Sequence, residues 1–116
     1  VHAYHFSYVA EARRARQPGA AHADDIAFVM GTLDAEPGPD RVTSRDRAVS
    51  RLMTGYWVWF AKTGDPNGPG LPEWPAWDPG PARVLEIGDE VAVRDGFLAE
   101  RLAYHLQRGV ARLKVQ

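Results

Sequence analysis

Gly19-Ala20-Ala21-His22-Ala23-Asp24-Asp25-Ile26-Ala27-Phe28-Val29-Met30-Gly31 is the stretch on which the reading of this chain turns. Pro18 precedes it and small residues open it, so the backbone can turn tightly and other groups can come close. One imidazole follows, then two carboxylates, then an apolar run closed by Gly31. That order predicts a histidine held on a loop and a short helix over 24–31 that ties the loop to a core. Histidine is the side chain best suited to moving protons near neutral pH. A packing or surface role is the ordinary alternative for His22. Asp24 or Asp25 can stabilise the first turn of the helix, where free N–H groups point outward. Asp25 sits three residues after His22. Helical geometry aims its carboxylate at the helix end rather than at the ring, which leaves loop support or contact with a substrate.

The 116 residues amount to one domain or one piece of a larger one. Hydrophobic content of 45% and charged content of 25% describe a globular chain. A net charge of −1, with arginines interleaved among Asp and Glu, gives no footprint for nucleic acid or an anionic membrane. No apolar run is long enough to span a bilayer. The absence of cysteine excludes disulfides and thiolate metal sites, and it points to a reducing compartment such as the cytoplasm. The start at Val1, with strand-like sequence already under way, reads as an excised or processed end.

Working outward, residues 2–10 predict a strand with Tyr4, Phe6 and Tyr8 on one face and Ala3, His5, Ser7 and Val9 on the other. Neither face is strongly charged, as in a strand covered on both sides. His2 and His5 fall on opposite faces, so they do not form a metal pair, and no cofactor or metal is expected. Residues 34–43, with Pro37, Gly38 and Pro39, predict a surface loop. Residues 44–62 carry the clearest helical period: Thr43 or Ser44 can cap, and Asp46 lies in the first turn. Val49, Leu52, Met53, Tyr56, Trp57 and Phe60 form an apolar stripe, and Gly64 is placed to stop the helix. Such a stripe is usually core; a place in the wall of a substrate gorge stays open for Tyr56 and Trp59.

Residues 63–81 are punctuated by Pro and Gly, yet Leu71, Trp74 and Trp77 predict a loop that packs down. Nothing in it matches a phosphate-binding loop. Residues 83–87 and 90–94 predict a hairpin around Gly88-Asp89. A terminal helix is expected from Asp95 to about residue 112. Phe97, Leu98, Leu102, Leu106, Val110 and Leu113 lie along one side, and Gly109 weakens the interior by about 1 kcal/mol.

Two motifs carry a resemblance. Gly19-x-x-His22-x-x-Asp25-Ile26-x-Phe28-Val29-x-Gly31 resembles the histidine loop of type B carboxylesterases, in the esterase/cholinesterase group of the α/β-hydrolase superfamily. Tyr56-Trp57-x-x-Phe60-Ala61-Lys62-Thr63-Gly64-Asp65-Pro66-Asn67, then Leu71-Pro72-x-Trp74-Pro75-x-Trp77-Asp78, resembles the segment that follows it there. The resemblance reaches the late strands and terminal helix. It implies an α/β fold, the chain itself being an α+β piece, and it implies that His22 is the catalytic histidine. By the same resemblance Asp25 stands where the family has Glu or Asp, and that residue is not the triad acid. Met30 replaces a common Phe and Ala27 a frequent Pro.

A hydrolase of this class needs Ser, then Glu or Asp, then His, in chain order. The serines here are Ser7, Ser44 and Ser50, and none lies in Gly-x-Ser-x-Gly; no Gly-rich oxyanion loop precedes His22. The resemblance therefore implies that residues 1–116 are the C-terminal part of one such domain. The intact protein would hydrolyse a small carboxylic ester through an acyl-enzyme, and the isolated chain would be inactive. The other reading is a non-catalytic interaction or dimerisation module on the same fold. Either way, the strand at 2–10 is expected to expose an edge or an apolar face, and a homodimer through that strand or the terminal helix follows as an expectation.

Overall fold

The structure, a computed structural model, describes residues 1–35 and 41–113. Its centre is a three-stranded sheet in the order β1-β2-β3, from β1 (Tyr4–Phe6), β2 (Val84–Ile87) and β3 (Val91–Arg94). β1 and β2 pair in parallel, with Tyr4 opposite Leu85 and Phe6 opposite Ile87, although most of the chain separates them. Parallel neighbours need a long crossover, and α2 (Ser44–Thr63) lies within it. β2 and β3 form the expected hairpin, Val84 opposite Arg94 and Ile87 opposite Val91. β2 is the central strand, with Val84, Leu85 and Ile87 buried.

The strand expected over 2–10 is shorter than its pattern. The N–H groups of Ser7 and Tyr8 both donate to the Ile87 carbonyl, at 3.0 and 3.2 Å. β2 ends there, so the ladder has no partner beyond it. Alternation nonetheless places the side chains: Tyr4, Phe6 and Tyr8 face the helices, while His5 stacks on Phe97 with ring centroids 4.6 Å apart. His2 meets Trp74 instead, so the two histidines take opposite faces.

α2 is built as its sequence demands. Thr43 and Asp46 form a reciprocal capping box, and Gly64 closes the helix at φ 78° with its N–H on the Phe60 carbonyl. Met53 and Tyr56 are fully buried, joining Tyr8, Phe28, Trp74, Leu85 and Ile87 in one core. Edge-to-face aromatic pairs run through it, Tyr4–Trp57 at 5.2 Å and Tyr56–Trp74 at 5.1 Å. The expected stripe is overextended at its end. Phe60 is 54% exposed, since it lies beyond the reach of the sheet in an open groove beside Val1 and His2.

The Pro/Gly-rich loop is ordered by its polar groups. Asn67 exchanges two bonds with the backbone of Trp74, at 2.7 and 2.9 Å, and Trp74 Nε1 donates to the Ala3 carbonyl at 3.0 Å. Trp74 enters the core, whereas Trp77 stays on the surface. Pro37, Gly38 and Pro39, on which the expected loop at 34–43 rests, lie outside the described residues; Leu33–Ala35 before them form a 3-10 turn.

The terminal helix also departs from expectation. α3 spans Ala99–Leu113 and starts four residues late, because Gly96 and Leu98 take positive φ, 62° and 55°. Phe97 consequently covers the sheet at His5 instead of sharing the helix stripe. Leu102, Leu106 and Val110 are exposed, and the helix runs on through Gly109. Leu113, the last of that stripe, lies outside the described side chains.

Candidate functional site

His22 stands second in a turn over residues 21–24, closed by the Asp24 N–H on the Ala21 carbonyl at 3.3 Å. Ala23, third in the turn, has φ 69°. That left-handed backbone is one a side chain resists. His22 is exposed. The bonds that fix the turn pass through its neighbours, not through the imidazole. Asp24 Oδ2 accepts from the Ala21 N–H at 2.9 Å and from Gln17 Nε2, and Gln17 Nε2 also reaches the Gly19 carbonyl at 2.9 Å. Arg13 stands 3.8 Å from Asp24.

α1 (Ile26–Met30) carries this turn onto the body of the protein. Phe28 is buried against Phe6 and Tyr8. Ser50 and Thr54 of α2 donate to the carbonyls of Phe28 and Val29, at 2.8 and 3.0 Å, which glues α1 to α2. Gly31 then ends α1 in the left-handed region at φ 66°. Neither aspartate caps α1 by its side chain, as the sequence had suggested. Asp25 accepts from the Tyr4 hydroxyl instead, because β1 passes beside the helix start and offers a donor. Burial first, and then this carboxylate, push the Tyr4 phenol up to about 12, so it stays a donor.

Tyr56 and Trp59 lie where they support the loop at 63–81. The Tyr56 hydroxyl donates to the Pro72 carbonyl at 2.7 Å, and the residue has no exposed surface. Trp59 lies flat over Gly68, so close that a Cβ there would fall 2.3 Å from its ring. Two of the three serines are occupied. Ser7 Oγ donates to Glu86 at 3.0 Å and Ser50 to the Phe28 carbonyl; Ser44 opens α2. Among the described residues no group of three His, Asp or Glu could hold a metal ion, and no helix is long and apolar enough to cross a membrane.

Asp46, legible in the sequence only as a first-turn residue of a helix, is a structural hub. Its carboxylate is 2% exposed and accepts from the Tyr8 hydroxyl at 2.7 Å and from the N–H groups of Glu11 and Thr43, both at 3.1 Å. Burial would raise its pKa, but these donors outweigh it and hold the carboxyl below its ordinary value. Gln17 is less legible still. A glutamine before Pro-Gly has no motif, and only the fold brings it to Asp24.

A family model described as the carboxylesterase family matches residues 1–105. Pyrethroid hydrolase Ces2a of Mus musculus is 33% identical over 107 residues, covering 90% of this chain and 19% of that protein. Bile salt-activated lipase of Homo sapiens is 55% identical over 49 residues, 42% of this chain and 6% of that one. A solved PNB esterase superposes with a TM-score of 0.75 at 25% identity, covering 89% of this chain and 21% of its own. A carboxylesterase of Geobacillus stearothermophilus gives 0.68 at 30% identity, with 86% and 20% covered. The chain thus spans about a fifth of these proteins or less. Matched by family over nearly all its residues and by backbone to solved esterases, this chain belongs to the carboxylesterase family, with the α/β-hydrolase fold.

Proposed function

We propose that residues 1–116 are the C-terminal part of a carboxylesterase-like serine hydrolase and supply its general base. In this reading His22 takes the proton from a serine nucleophile elsewhere in the protein as that serine attacks the ester carbonyl. It then gives the proton to the leaving alcohol, and the same imidazole activates the water that hydrolyses the acyl-enzyme. The observation that supports it best is the placement of His22. Its ring is exposed on a turn whose anchoring bonds leave the imidazole out of their network. Asp25, tied to Tyr4, supports the loop, and Tyr56 and Trp59 act through the segment at 63–81. The substrate is a small-molecule carboxylic ester. The nucleophile, the acid and the oxyanion donors come from outside these residues, so the chain alone is inactive.

Hydrolysis of a small activated aryl ester tests this. The 116-residue chain should not exceed the buffer rate. In a longer protein with Gly-x-Ser-x-Gly upstream, His22→Ala should lower kcat at least about a thousandfold. Activity of the chain alone that vanishes in His22→Ala would overturn its inactivity; a longer protein indifferent to His22→Ala would overturn the assignment of the base. A second reading, a homodimerisation module, draws on the exposed apolar side of α3 and on β1 standing first in the sheet order.

A further inference from the structure

We infer that Asp24 is a positioning residue for His22, clamping a turn that its own backbone does not favour; this rests on the reading of His22 as the base. The turn over residues 21–24 places a residue with a Cβ, Ala23, at φ 69°. A glycine there would sit without penalty, whereas alanine pulls the turn toward other conformations. Something must hold it, and the bonds converge on one carboxylate. Asp24 Oδ2 takes the Ala21 N–H from within the turn at 2.9 Å and Gln17 Nε2 from outside it. Arg13 stands behind, at 3.8 Å.

Gln17 is itself fixed. Its N–H donates to the Arg13 carbonyl at 2.9 Å, and the 3-10 turn Glu11–Arg13 is pinned by the Glu11 N–H on buried Asp46 at 3.1 Å. The support therefore runs from the N-terminus of α2, through Asp46, Glu11, Arg13 and Gln17, to Asp24 and the residue before His22. It bypasses α1, which is anchored separately by Phe28 and by Asp25 on Tyr4. Loss of Asp24 should free the turn without freeing the helix. Proton transfer is sensitive to such freedom, since misplacement by about 1 Å can cost about a hundredfold in rate.

Backbone 15N relaxation on the 116-residue chain is the deciding measurement. In the unsubstituted chain the amides of Ala21, His22 and Ala23 should show order parameters near 0.85, and Asp24→Ala should drop them below about 0.6 with α2 and β2 unchanged. Asp24→Asn keeps an acceptor oxygen and should keep the turn rigid. Equal order in Asp24→Ala and the unsubstituted chain would overturn the clamp. Should Asp24→Ala not fold, Gln17→Ala decides by the same criterion at the same three amides. In the longer ester hydrolase, Asp24→Ala should lower kcat ten- to hundredfold with KM unchanged, and Asp24→Asn should restore it to within about threefold. A smaller folded fraction would also lower the apparent kcat with KM unchanged, so kcat is taken per folded molecule, counted for each variant from its circular-dichroism amplitude; a deficit that disappears on that count would overturn the positioning role. Failure of His22→Ala to affect that hydrolase would sink the reading of the base, while the relaxation result would still decide the clamp.

Discussion

Asp46→Ala is the substitution whose cost can be worked most fully. The carboxylate is 2% exposed and serves three donors: the Tyr8 hydroxyl, the Glu11 N–H and the Thr43 N–H. Tyr8 is equally buried, so orphaning its hydroxyl costs about 1–3 kcal/mol. Half the capping box goes as well, at about 1 kcal/mol, and the Glu11 N–H loses its partner. The expected loss is about 3–4 kcal/mol, a large share of the 5–15 kcal/mol typical of a domain. Asp46→Asn separates these contributions. Oδ1 serves both Tyr8 and Glu11, so an amide oxygen there keeps both, and only the Thr43 bond and the charge are lost. That variant should lose about 1–2 kcal/mol.

Urea unfolding followed by tryptophan fluorescence reads the ranking, since Trp57 and Trp74 sit in or against the core. The pH dependence adds a second check. Asp46 holds its proton less tightly folded than unfolded. Its contribution is therefore full above the unfolded value near 3.9 and is lost as pH falls through the lowered folded value. Asp46→Asn lacks that contribution, so its deficit against the unsubstituted chain should shrink progressively as the pH is lowered through the unfolded carboxylate range. An Asp46→Ala cost under about 1 kcal/mol, or an Asn deficit that does not change with pH, would refute the reasoning.

Three further outcomes are expected. Ala23→Gly relieves about 1–2 kcal/mol of left-handed strain and gives back about 0.4–1 kcal/mol to the unfolded chain, so urea unfolding should show a small net gain; a clear loss would mean that Ala23 is not held at positive φ. Gly68→Ala puts a methyl 2.3 Å from the Trp59 ring and should cost about 1–3 kcal/mol, with a change in Trp59 emission; no cost would deny the close approach. Leu102→Glu with Leu106→Glu, at 56% and 69% exposure, should change stability by no more than about 0.5 kcal/mol. If α3 pairs copies of the chain, light scattering should show the dimer lost in that variant, and an unsubstituted chain that is monomeric throughout would end that reading.

The fold was legible where a local rule set it. Thr43 and Asp46 three residues apart, an apolar period of 3.6, and Gly64 fixed both ends of α2 within a residue. The hairpin read equally well, since alternation needs only neighbours. Prediction slipped where an element ends for want of a partner. Nothing in residues 7–10 says that the strand stops after Phe6; the cause is the end of β2, about 80 residues away in sequence. The late start of α3 has the same character, because Leu98 at positive φ is disfavoured by its own sequence and is imposed by the connection from β3.

The site divides along the same line. The type and order of residues around His22 made the imidazole a candidate, its catalytic role came from the resemblance, and the family match over residues 1–105 includes that loop. The supports were not visible, because each joins residues that no spacing rule connects: Tyr4 to Asp25, Gln17 to Asp24, Tyr8 to Asp46. A carboxylate in the first turn of a helix looks like a cap from sequence, and Asp46 is one. Only the fold gives it the two donors from the chain's first turns, which make it the root of the support under His22. Asp24 and Asp25 differ in the same way. Adjacent and chemically identical, they are divided in role by which neighbour reaches them, the Ala21 amide and Gln17 for one and a strand tyrosine for the other. A candidate proton-transfer group can thus be proposed from its own chemistry and the motif around it. How firmly its turn is held depends on long-range partners, so substitutions at Gln17 and Asp46 should set the mobility of the backbone that carries His22.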